Sequence, residues 1–305
     1  MPNETGDDYG LGLRAEVREI PVPEVDYLPA ATAYPARIGL VGAGGITAQH
    51  LAAYRDAGYD VVAICDVNPA AAEGMRDRYF PGARVFSDYR RVLDLPEVNV
   101  VDAATHPDIR YDIIREALLA GKHVLSQKPF VTDLDKGEAL CRLAEEKGLR
   151  LAVNHNGRWA PHFRFATRLI REGYVGAVSA VHLSVVWNHN WIKGTHFEDI
   201  RYCILYDFGI HWFDILNVFM DNAPAARVYA STARTVDQEV RPDFMSQAAV
   251  EYANTQATLT FEADSRHAAE DRTVIVGTEW MIVCEGPDLN EQALRYTGKR
   301  GALRA

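Results

Sequence analysis

Asp207 and His211 stand four residues apart in the run DFGIHWFD, and Asp214 follows three residues later. In a helix this spacing brings both carboxylates within reach of the one imidazole. A histidine oriented by a carboxylate is a natural general base for an alcohol. The alternative interpretation makes Asp207 a helix N-cap and His211 a half-buried packing residue.

A lysine follows an apolar run, in the segment Gln127-Lys128-Pro129-Phe130. Residues 122–127 predict a strand of a parallel sheet, and ligands of such sheets bind outside the carboxyl ends of the strands. Lys128 would then point into that crevice, where a lysine near a reacting hydroxyl can donate or accept a proton. The alternative is a surface lysine at a turn.

The run GAGGIT at 42–47 follows a predicted strand and opens a predicted helix. Gly42 allows a tight turn, and Gly44 lets a pyrophosphate approach the N–H groups and the positive dipole end of the helix. Thr47 replaces the third glycine of the G-x-G-x-x-G fingerprint, which weakens the match. The residues predicted to bind a dinucleotide cofactor are Gly42, Gly44, Gly45, Ile46, Asp66, Thr105 and Lys128.

Asp66 closes the next predicted strand, 24 residues after Gly42. A carboxylate at this place accepts hydrogen bonds from both ribose hydroxyls and repels a 2′-phosphate. No arginine follows at 67 or 68. The pattern favours NAD over NADP, and the alternative is a glycine turn that holds no ligand.

Aromatic and polar side chains are concentrated in residues 187–200, just before the histidine helix. Rings against C–H faces and polar groups on hydroxyls suit a sugar or a cyclitol, so Trp187 and Trp191 are predicted to line the substrate. The alternative is a surface loop with aromatics packed beneath it. The histidines are not at metal-ligand spacing, and no metal is predicted.

The elements that position these residues change in type along the chain. From Arg37, predicted strands at 37–42, 61–66, 98–104, 122–127 and 149–154 alternate with helices at 45–58, 68–79, 108–120 and 132–147. Buried apolar strands separated by helices indicate an α/β, doubly wound parallel sheet of the Rossmann type.

The pattern changes near residue 155. Helices are predicted at 160–172 and 208–220, with alternating strands at 177–187, 226–235, 247–254, 256–264, 272–277 and 279–285. Such strands indicate an α/β domain with a large, mostly antiparallel open sheet. The polar tail after 286 is predicted to have little strand character, so the sheet would be small or its missing edge would come from elsewhere. The predicted domains are 1–36, 37–154 and 155–305.

Residues 1–36 form a separate Pro-rich arm with seven acidic and two basic residues. Prolines make a regular element unlikely there. One interpretation is a flexible or surface-draped arm. The other is an arm that docks on a neighbouring domain or subunit through its apolar residues, which are Leu11, Leu13, Ile20, Val22 and Val25.

Composition excludes several classes of partner. The 305 residues carry 32 Lys and Arg against 42 Asp and Glu, a net charge of −10, which argues against nucleic acid and against a membrane surface. The four cysteines are widely spaced and are interpreted as buried thiols of a reducing compartment. No apolar stretch is long enough for a transmembrane helix, and the acidic N-terminus is unlike a secretory signal. The expected location is the cytoplasm.

Four segments together resemble the glucose–fructose oxidoreductase/inositol dehydrogenase/rhizopine catabolism (Gfo/Idh/MocA) family of NAD(P)-dependent oxidoreductases. They are GAGGI at 42–46, AGKHVLSQKPF at 120–130, NHNGRWAP at 154–161 and DFGIH at 207–211. The resemblance runs from about Arg37 to Glu285 and implies a Rossmann domain followed by an α/β domain with an open sheet. It also implies a homodimer or homotetramer through that sheet.

The resemblance implies a catalytic group of Lys128, Asp207 and His211. His211 would take the hydroxyl proton as hydride passes to the nicotinamide, Lys128 would polarise the same oxygen, and Asp207 would hold the imidazole. Arg158 and Trp159 match an Arg-aromatic pair and are treated as structural or substrate-lining. Gln127 departs from the family pattern, which has Glu there.

The function expected from these features is NAD-dependent hydride transfer to or from a hydroxyl of a sugar, sugar acid or cyclitol. Two alternatives stay open. One is an NAD-dependent glycoside hydrolase on the same fold. The other is a non-catalytic NAD(H)-binding or sensor protein, which Gln127 and the short C-terminal region would favour.

Overall fold

The structure, a computed structural model, describes residues 21–29, 33–298 and 301–304. They form two compact units. The parallel-sheet unit comprises residues 33–155, and the mixed-sheet unit comprises residues 21–29 and 156–304. Within these described ranges, no helix combines the length and the apolar character that crossing a bilayer requires.

The parallel-sheet unit alternates strands and helices. Its strands are β1 (Arg37–Val41), β2 (Asp60–Cys65), β3 (Arg84–Phe86), β4 (Val100–Ala103), β5 (His123–Ser126) and β6 (Leu151–Val153). Its helices are α1 (Thr47–Asp56), α2 (Pro69–Tyr79), α3 (Arg90–Leu93), α4 (Pro107–Leu119) and α5 (Leu134–Glu146). The strands pair in parallel in the order β3-β2-β1-β4-β5-β6, which confirms the predicted doubly wound sheet. The strand order reverses between β1 and β4, which is where such sheets bind their ligands.

Sequence patterning explains most of these elements. The RIGLV run of β1 is buried at all but its first position because helices cover both faces of a parallel sheet. Gly121 and Gly148 end α4 and α5 with φ of +75° and +64°, a conformation that glycine adopts without steric cost. β3 and α3 were not predicted, because three or four residues are too few to show a period.

The described residues of the mixed-sheet unit contain eight strands and two α-helices. The strands are β7 (Val178–Val186), β8 (Arg227–Ala233), β9 (Met245–Glu251), β10 (Gln256–Glu262), β11 (Glu270–Gly277), β12 (Trp280–Gly286), β13 (Ala293–Gly298) and β14 (Gly301–Arg304). The helices are α6 (Pro161–Arg171) and α7 (Ile210–Phe219). The sheet order is β14-β13-β12-β11-β7-β10-β9-β8. Only β7 and β10 pair in parallel among these strands, which confirms a large and mostly antiparallel sheet.

The prediction of little strand character after residue 286 is wrong. β13 pairs antiparallel with β12, and β14 pairs with β13. Leu294 and Tyr296 are buried on β13, while the residues between and beside them are polar or small. The strand was not predicted because its outward positions, which alternate with the buried ones, are occupied by polar residues. The sheet edge is therefore built from the chain's own tail.

Helices α6 and α7 pack against one face of this sheet. Phe163 of α6 and Ile215 of α7 belong to the same buried cluster as Leu183 of β7 and Leu259 of β10. On β10 the buried residues alternate with exposed ones, which include Thr258 and Thr260. Alternation of this kind follows from a sheet with one covered and one open face.

Residues 21–29 of the acidic arm dock on the mixed-sheet unit. Tyr296 donates its hydroxyl hydrogen to the Pro21 carbonyl at 3.0 Å, and Arg164 Nε donates to the Tyr27 carbonyl at 3.0 Å. Val25 packs against the apolar core, as the docking interpretation expects. Val22 is 49% exposed in this chain, so its docking stays a prediction. The other three apolar residues of the arm, Leu11, Leu13 and Ile20, lie outside the described residues.

Three of the four cysteines are buried as predicted, and Cys141 is not. Cys65, Cys203 and Cys284 are buried, whereas Cys141 is exposed on α5. The buried stripe of α5 runs through Gly137, Leu140 and Ala144. Position 141 lies beside this stripe, so its side chain reaches solvent.

Candidate active site

The first glycine of the GAGGIT run is required by the fold itself. Gly42 has a φ of +101°, and its N–H donates to the Cys65 carbonyl at 2.8 Å. A Cβ placed on Gly42 would lie 2.7 Å from the Ala104 carbonyl oxygen. The turn that carries the chain from β1 to α1 therefore excludes any side chain at this position.

The next two glycines are not required by packing. A Cβ on Gly44 or Gly45 would meet nothing within 4 Å, and neither residue has a positive φ. Both are exposed, as is Ile46. Thr47 is buried at the start of α1 and donates its hydroxyl hydrogen to the Gly44 carbonyl. The space beside the N-terminus of α1 is thus open, as a pyrophosphate bound there would need.

Asp66 holds the end of β2 against the glycine turn. Its Oδ2 accepts the Ala43 N–H at 2.7 Å, and its Oδ1 accepts the Asn68 N–H at 2.8 Å. A carboxylate has about four lone-pair positions, so both oxygens can accept further hydrogen bonds. The side chain is half-buried, and ribose hydroxyls could still reach it.

A second carboxylate lies near this strand end. Burial, followed by the charges of Asp66 and Asp88, raises the pKa of the Cys65 thiol to about 11. The N–H of Asp66 donates to the Phe86 carbonyl at 3.1 Å, so β3 ends beside it. A phosphate brought to this point would face both negative charges.

Thr105 follows β4 and lies against the glycine turn. Its Cγ2 is 3.2 Å from where a Cβ of Gly42 would be. Its buried Oγ1 has no hydrogen-bond partner among the described residues. An orphaned hydroxyl, two glycines with open space and a carboxylate at the switch point together fit a dinucleotide cofactor.

Lys128 is held through its backbone on both sides. Its N–H donates to Gln127 Oε1 at 2.6 Å. Arg110, 2% exposed on α4, donates from Nη1 to the Gln127 carbonyl at 2.5 Å and also contacts the Pro129 carbonyl. The same guanidinium donates to the Thr105 carbonyl, with Nε at 3.0 Å. One buried cation thus ties together the loops that follow β4 and β5.

Sequence reasoning missed Arg110, although a signal was present. Arg110 shares the buried stripe of α4 with Ile113, Ile114 and Ala117, at helical spacing. A charged residue on an apolar stripe must find partners inside the protein, since burying an unpaired charge is costly. That conflict marks Arg110 as a residue with a specific structural task.

Asp207 and His211 stand on either side of a break in helical geometry. Residues Ile204–Phe208 form a π-helix, closed by the Gly209 N–H donating to the Ile204 carbonyl at 2.6 Å. A Cβ on Gly209 would lie 2.8 Å from that same oxygen, so glycine lets this wide turn close. Asp207 is 4% exposed in the π-helix, and His211 is half-buried in the first turn of α7. Turns of this type are frequent at functional sites.

One expectation for this segment is corrected, and Asp214 has a partner that was not predicted. The N-cap of α7 is Gly209, without a side-chain cap, so Asp207 does not have the predicted alternative role of N-cap. Asp214 is engaged by Arg158, whose Nε donates to Oδ2 at 2.7 Å while Nη2 contacts Oδ1. This hydrogen bond raises the pKa of the Arg158 guanidinium. The bidentate pair uses both oxygens of the carboxylate that helical spacing also placed near His211.

The tryptophans predicted to line the substrate differ in exposure. Trp187 stacks on Trp212 at 6.2 Å and donates its indole N–H to His189 Nδ1 at 2.7 Å, so it packs within the unit. Trp191 is 55% exposed and lies edge-on to Phe208, next to Asp207, at 6.0 Å. Trp159 is 53% exposed, with the Arg164 guanidinium 4.9 Å from its ring centre. Exposed rings of this kind could stack on a sugar; within the described ranges, no group of three metal-ligating side chains is assembled.

The predicted residues thus fall into two sets. The parallel-sheet unit gathers the glycine turn, Asp66, Thr105 and Lys128 at the carboxyl ends of its strands. The mixed-sheet unit carries Asp207 and His211 with the exposed Trp191. Each set is assembled by contacts within its own unit.

Similar proteins support this interpretation of the fold. A family model for an oxidoreductase family with an NAD-binding Rossmann fold, GFO/IDH/MocA, matches residues 36–155. The model of the GFO/IDH/MocA C-terminal domain matches residues 163–283. Both expected domains of the resemblance are therefore present.

Two curated relatives are inositol dehydrogenases. The NADP⁺-dependent scyllo-inositol 2-dehydrogenase of Bacillus subtilis is 30% identical over 224 residues, which cover 72% of this chain and 60% of the relative. Inositol 2-dehydrogenase of Rhizobium meliloti is 25% identical over 259 residues, which cover 82% of this chain and 75% of the relative. The matched region thus spans less than two thirds of the Bacillus enzyme.

Two solved structures share the fold. The WlbA dehydrogenase of Bordetella pertussis, in complex with NADH and UDP-GlcNAcA, matches with a TM-score of 0.74 and 24% identity over 84% of this chain and 81% of that one. An Agrobacterium radiobacter oxidoreductase, in complex with NAD⁺, L-tartaric acid and magnesium, matches with a TM-score of 0.79 and 21% identity over 89% of this chain and 79% of that one. With family models matching both of its units, the chain belongs to the GFO/IDH/MocA family of oxidoreductases.

Proposed function

We propose that this protein is an NAD-dependent dehydrogenase that moves hydride between the cofactor and a hydroxyl of a sugar, sugar acid or cyclitol. The observation that carries the proposal is the glycine turn at the switch point, with open space at Gly44 and Gly45 beside the Asp66 carboxylate. A nicotinamide cofactor bound there supplies the hydride acceptor or donor. The inositol dehydrogenases among the relatives support a polyhydroxylated substrate.

Electrostatics near β2 support NAD over NADP. Asp66 and Asp88 both act on the Cys65 thiol, so both carboxylates are close to the end of β2. A 2′-phosphate near them would meet repulsion rather than a cationic partner. The relative from Bacillus subtilis is described as NADP⁺-dependent, so the two cofactors are best compared directly by titration.

The chemistry that we assign to the chain uses three residues. His211 accepts the hydroxyl proton of the substrate, Asp207 orients its imidazole, and Lys128 binds and polarises the reacting oxygen. Burial of Asp207 and the fixed backbone of Lys128 support these roles. Trp159 and Trp191 are exposed rings suited to the apolar face of a polyol.

The features that suggested a non-catalytic sensor have structural explanations. Gln127 makes hydrogen bonds through both ends of its amide, to Lys128 and to His50. The C-terminal tail adds β13 and β14 to the sheet. Neither feature is a sign of a damaged site, and no observation favours the glycoside hydrolase over the dehydrogenase.

The decisive experiment pairs binding with turnover. Purified protein should quench or enhance NADH fluorescence on binding, and a panel of sugars, sugar acids and inositols should contain a compound that reduces NAD⁺. Lys128→Ala should lower kcat on that compound by roughly 10²–10⁴, the usual contribution of a proton-transfer or polarising group. Lys147→Ala, which alters an exposed lysine, serves as the matched control.

Three results would contradict the proposal. Turnover by Lys128→Ala at the wild-type rate would remove the assigned role of this lysine. Tight NADH binding with no turnover on any polyol would favour the sensor, and release of an aglycone from an aryl glycoside without net NADH would favour the hydrolase.

The assembly and the location of the protein stay predictions. The exposed face of the mixed sheet, with Thr258 and Thr260 on β10, supports a homodimer or homotetramer, which sedimentation of the full chain would measure. The net charge of −10 supports the expectation that nucleic acid is not a partner. We expect the protein to work in the cytoplasm.

A further inference from the structure

A row of buried polar side chains lies behind Lys128, and the proposed chemistry does not use it. His50 of α1 is 7% exposed, and Asp102 of β4 is fully buried. His50 Nδ1 and Asp102 Oδ2 are 2.7 Å apart, and the Tyr54 hydroxyl donates to the same oxygen at 2.8 Å. On its other side, His50 Nε2 lies 3.2 Å from Gln127 Nε2 and 3.0 Å from Asn154 Nδ2.

The direction of the Gln127 amide follows from its other neighbour. The Lys128 N–H can only donate, and it lies 2.6 Å from the Gln127 side chain. The atom that faces it must therefore be the amide oxygen, because an NH₂ group there would set donor against donor. The amide nitrogen then points to His50.

The protonation of His50 follows in turn. An amide NH₂ can only donate, so His50 Nε2 must accept and cannot carry a hydrogen. Nδ1 then carries the single proton and donates it to the Asp102 carboxylate. The imidazole is neutral, with a tautomer fixed from both sides.

We propose that Gln127 is a positioning residue for Lys128, with its amide oriented by the His50–Asp102 pair. The catalytic meaning of this proposal rests on the proposed function, because it assumes that Lys128 acts on the substrate. The amide oxygen holds the Lys128 N–H, while Arg110 holds the carbonyls of Gln127 and Pro129. Hydrogen bonds thus fix the backbone at the three successive residues 127–129. A fixed backbone limits the positions that the Lys128 side chain can take, and a reacting group must be held in productive geometry.

Glutamate at position 127 would change the proton count of this row without losing the Lys128 contact. A carboxylate can accept the Lys128 N–H, but it has no hydrogen to give to His50 Nε2. His50 would have to take up a proton and donate from both nitrogens. Gln127→Glu thus separates the two parts of the proposal, which are the hydrogen bond to the Lys128 N–H and the hydrogen bond to His50 Nε2.

The test follows two signals that need no substrate, in the full-length protein. The first is hydrogen exchange of the Lys128 amide, and the second is the ¹⁵N spectrum of His50, which distinguishes protonated from unprotonated ring nitrogens. Gln127→Leu should speed exchange of the Lys128 amide by roughly fivefold, which corresponds to the loss of one hydrogen bond of about 1 kcal/mol. Gln127→Glu should keep exchange slow and show a doubly protonated His50.

Asn154→Leu is the matched control. It removes the other amide donor to His50 and leaves the Gln127–Lys128 hydrogen bond in place, so the Lys128 amide should stay protected. Gln127→Met, which keeps the length of the side chain, replaces Gln127→Leu if that variant does not fold. With a substrate from the polyol panel, Gln127→Leu should lower kcat by roughly tenfold to a hundredfold while NADH affinity stays, and Gln127→Glu should recover most of the loss.

Three results would overturn the proposal: slow Lys128 exchange in Gln127→Leu, a neutral His50 in Gln127→Glu, or fast Lys128 exchange in Asn154→Leu. A wild-type protein that shows the expected exchange and ¹⁵N signals but oxidises no polyol would instead overturn the proposed function. The failures of the two proposals are therefore distinguishable.

Discussion

In the parallel-sheet unit the candidate residues stand on loops that follow strand ends, whereas in the mixed-sheet unit they stand on a helix laid against one face of the sheet. Lys128 is fixed by hydrogen bonds to its backbone from Gln127 and by those from Arg110 to its neighbours. Asp207 and His211 are placed by a π-helix and by the apolar packing of α7.

The difference shows what each kind of sheet can specify. Parallel topology brings the carboxyl ends of adjacent strands to one edge, so a ligand site follows from strand order. An antiparallel sheet has no such edge, and a site on it depends on the local geometry of a covering element. Polar networks therefore fix the first set of residues, and helix geometry fixes the second.

The surroundings of a buried carboxylate also differ between the two units. Asp102 accepts hydrogen bonds from the His50 ring and the Tyr54 hydroxyl, and burial together with Asp102 raises the pKa of Tyr54 above its usual range. Asp271 in β11 accepts the Trp212 indole N–H at 3.0 Å, and burial raises its own pKa to about 7.

The largest effect on kcat is expected in the mixed-sheet unit, from a substitution of His211. His211→Asn should lower kcat on the polyol substrate by roughly 10²–10⁴, because a general base contributes that much. His182→Asn is the control, since His182 is exposed on β7 and hydrogen-bonded to Thr258. A wild-type kcat in His211→Asn would mean that this unit supplies no proton acceptor, and the comparison would fail.

The next effect separates the two kinds of glycine in the parallel-sheet unit. Gly42→Ala should lower the free energy of unfolding in urea by about 3 kcal/mol, because its φ and its contact with Ala104 leave no room for a Cβ. Gly44→Ala should change that free energy by less than about 0.5 kcal/mol. In Gly44→Ala the NADH dissociation constant should instead rise by roughly tenfold, or about 1.4 kcal/mol. Wild-type NADH binding by Gly44→Ala would show that the open space is not the cofactor's.

The smallest effect concerns pH and the mixed-sheet unit. Burial, and to a lesser degree the nearby Asp288, raises the pKa of Asp271 to about 7, against about 3.9 for an unfolded chain. A raised pKa contributes stability below the unfolded value, and that contribution is lost as pH rises towards 7.

Asp271→Asn removes this dependence. Relative to the variant, the wild type should lose roughly 2.5 kcal/mol of unfolding free energy between about pH 5 and about pH 8, at about 1.4 kcal/mol for each unit of pKa difference. Urea unfolding of both proteins across this range measures the change. If the difference in unfolding free energy between the two proteins stayed constant with pH, burial would not raise the pKa of Asp271.

Most of the parallel-sheet unit could be predicted from sequence because its signals are local. Gly42, Asp66 and Lys128 each follow an apolar run of strand length, and the alternation of such runs with helices predicts a parallel sheet. β3 was not predicted because three residues show no period, and β13 was not predicted because its outward positions are polar. Arg110 and His50 left a signal, a polar residue on a buried helix stripe, which indicates a task but not the partner.

The mixed-sheet unit was less predictable for a physical reason. The D-x-x-x-H spacing indicated one continuous helix. In a π-helix, a backbone N–H donates to the carbonyl five residues earlier instead of four, and residue types determine that choice only weakly. Likewise, the spacing did not indicate that Asp214 binds Arg158, 56 residues away in sequence, through both of its oxygens. A long-range contact of this kind leaves no local pattern.

The π-helix at Ile204–Phe208 has a consequence for insertions and deletions. A π turn accommodates one residue more than an α-helix does, so loss of Phe208, which lies between Asp207 and His211, would let the segment close as an α-helix. Each residue of an α-helix turns the chain by about 100°, so everything before the deletion would rotate by that angle relative to α7. The position of Asp207 relative to His211 would therefore change although both residues were still present. The spacing of this pair is therefore vulnerable to a change in chain length that no substitution would mimic.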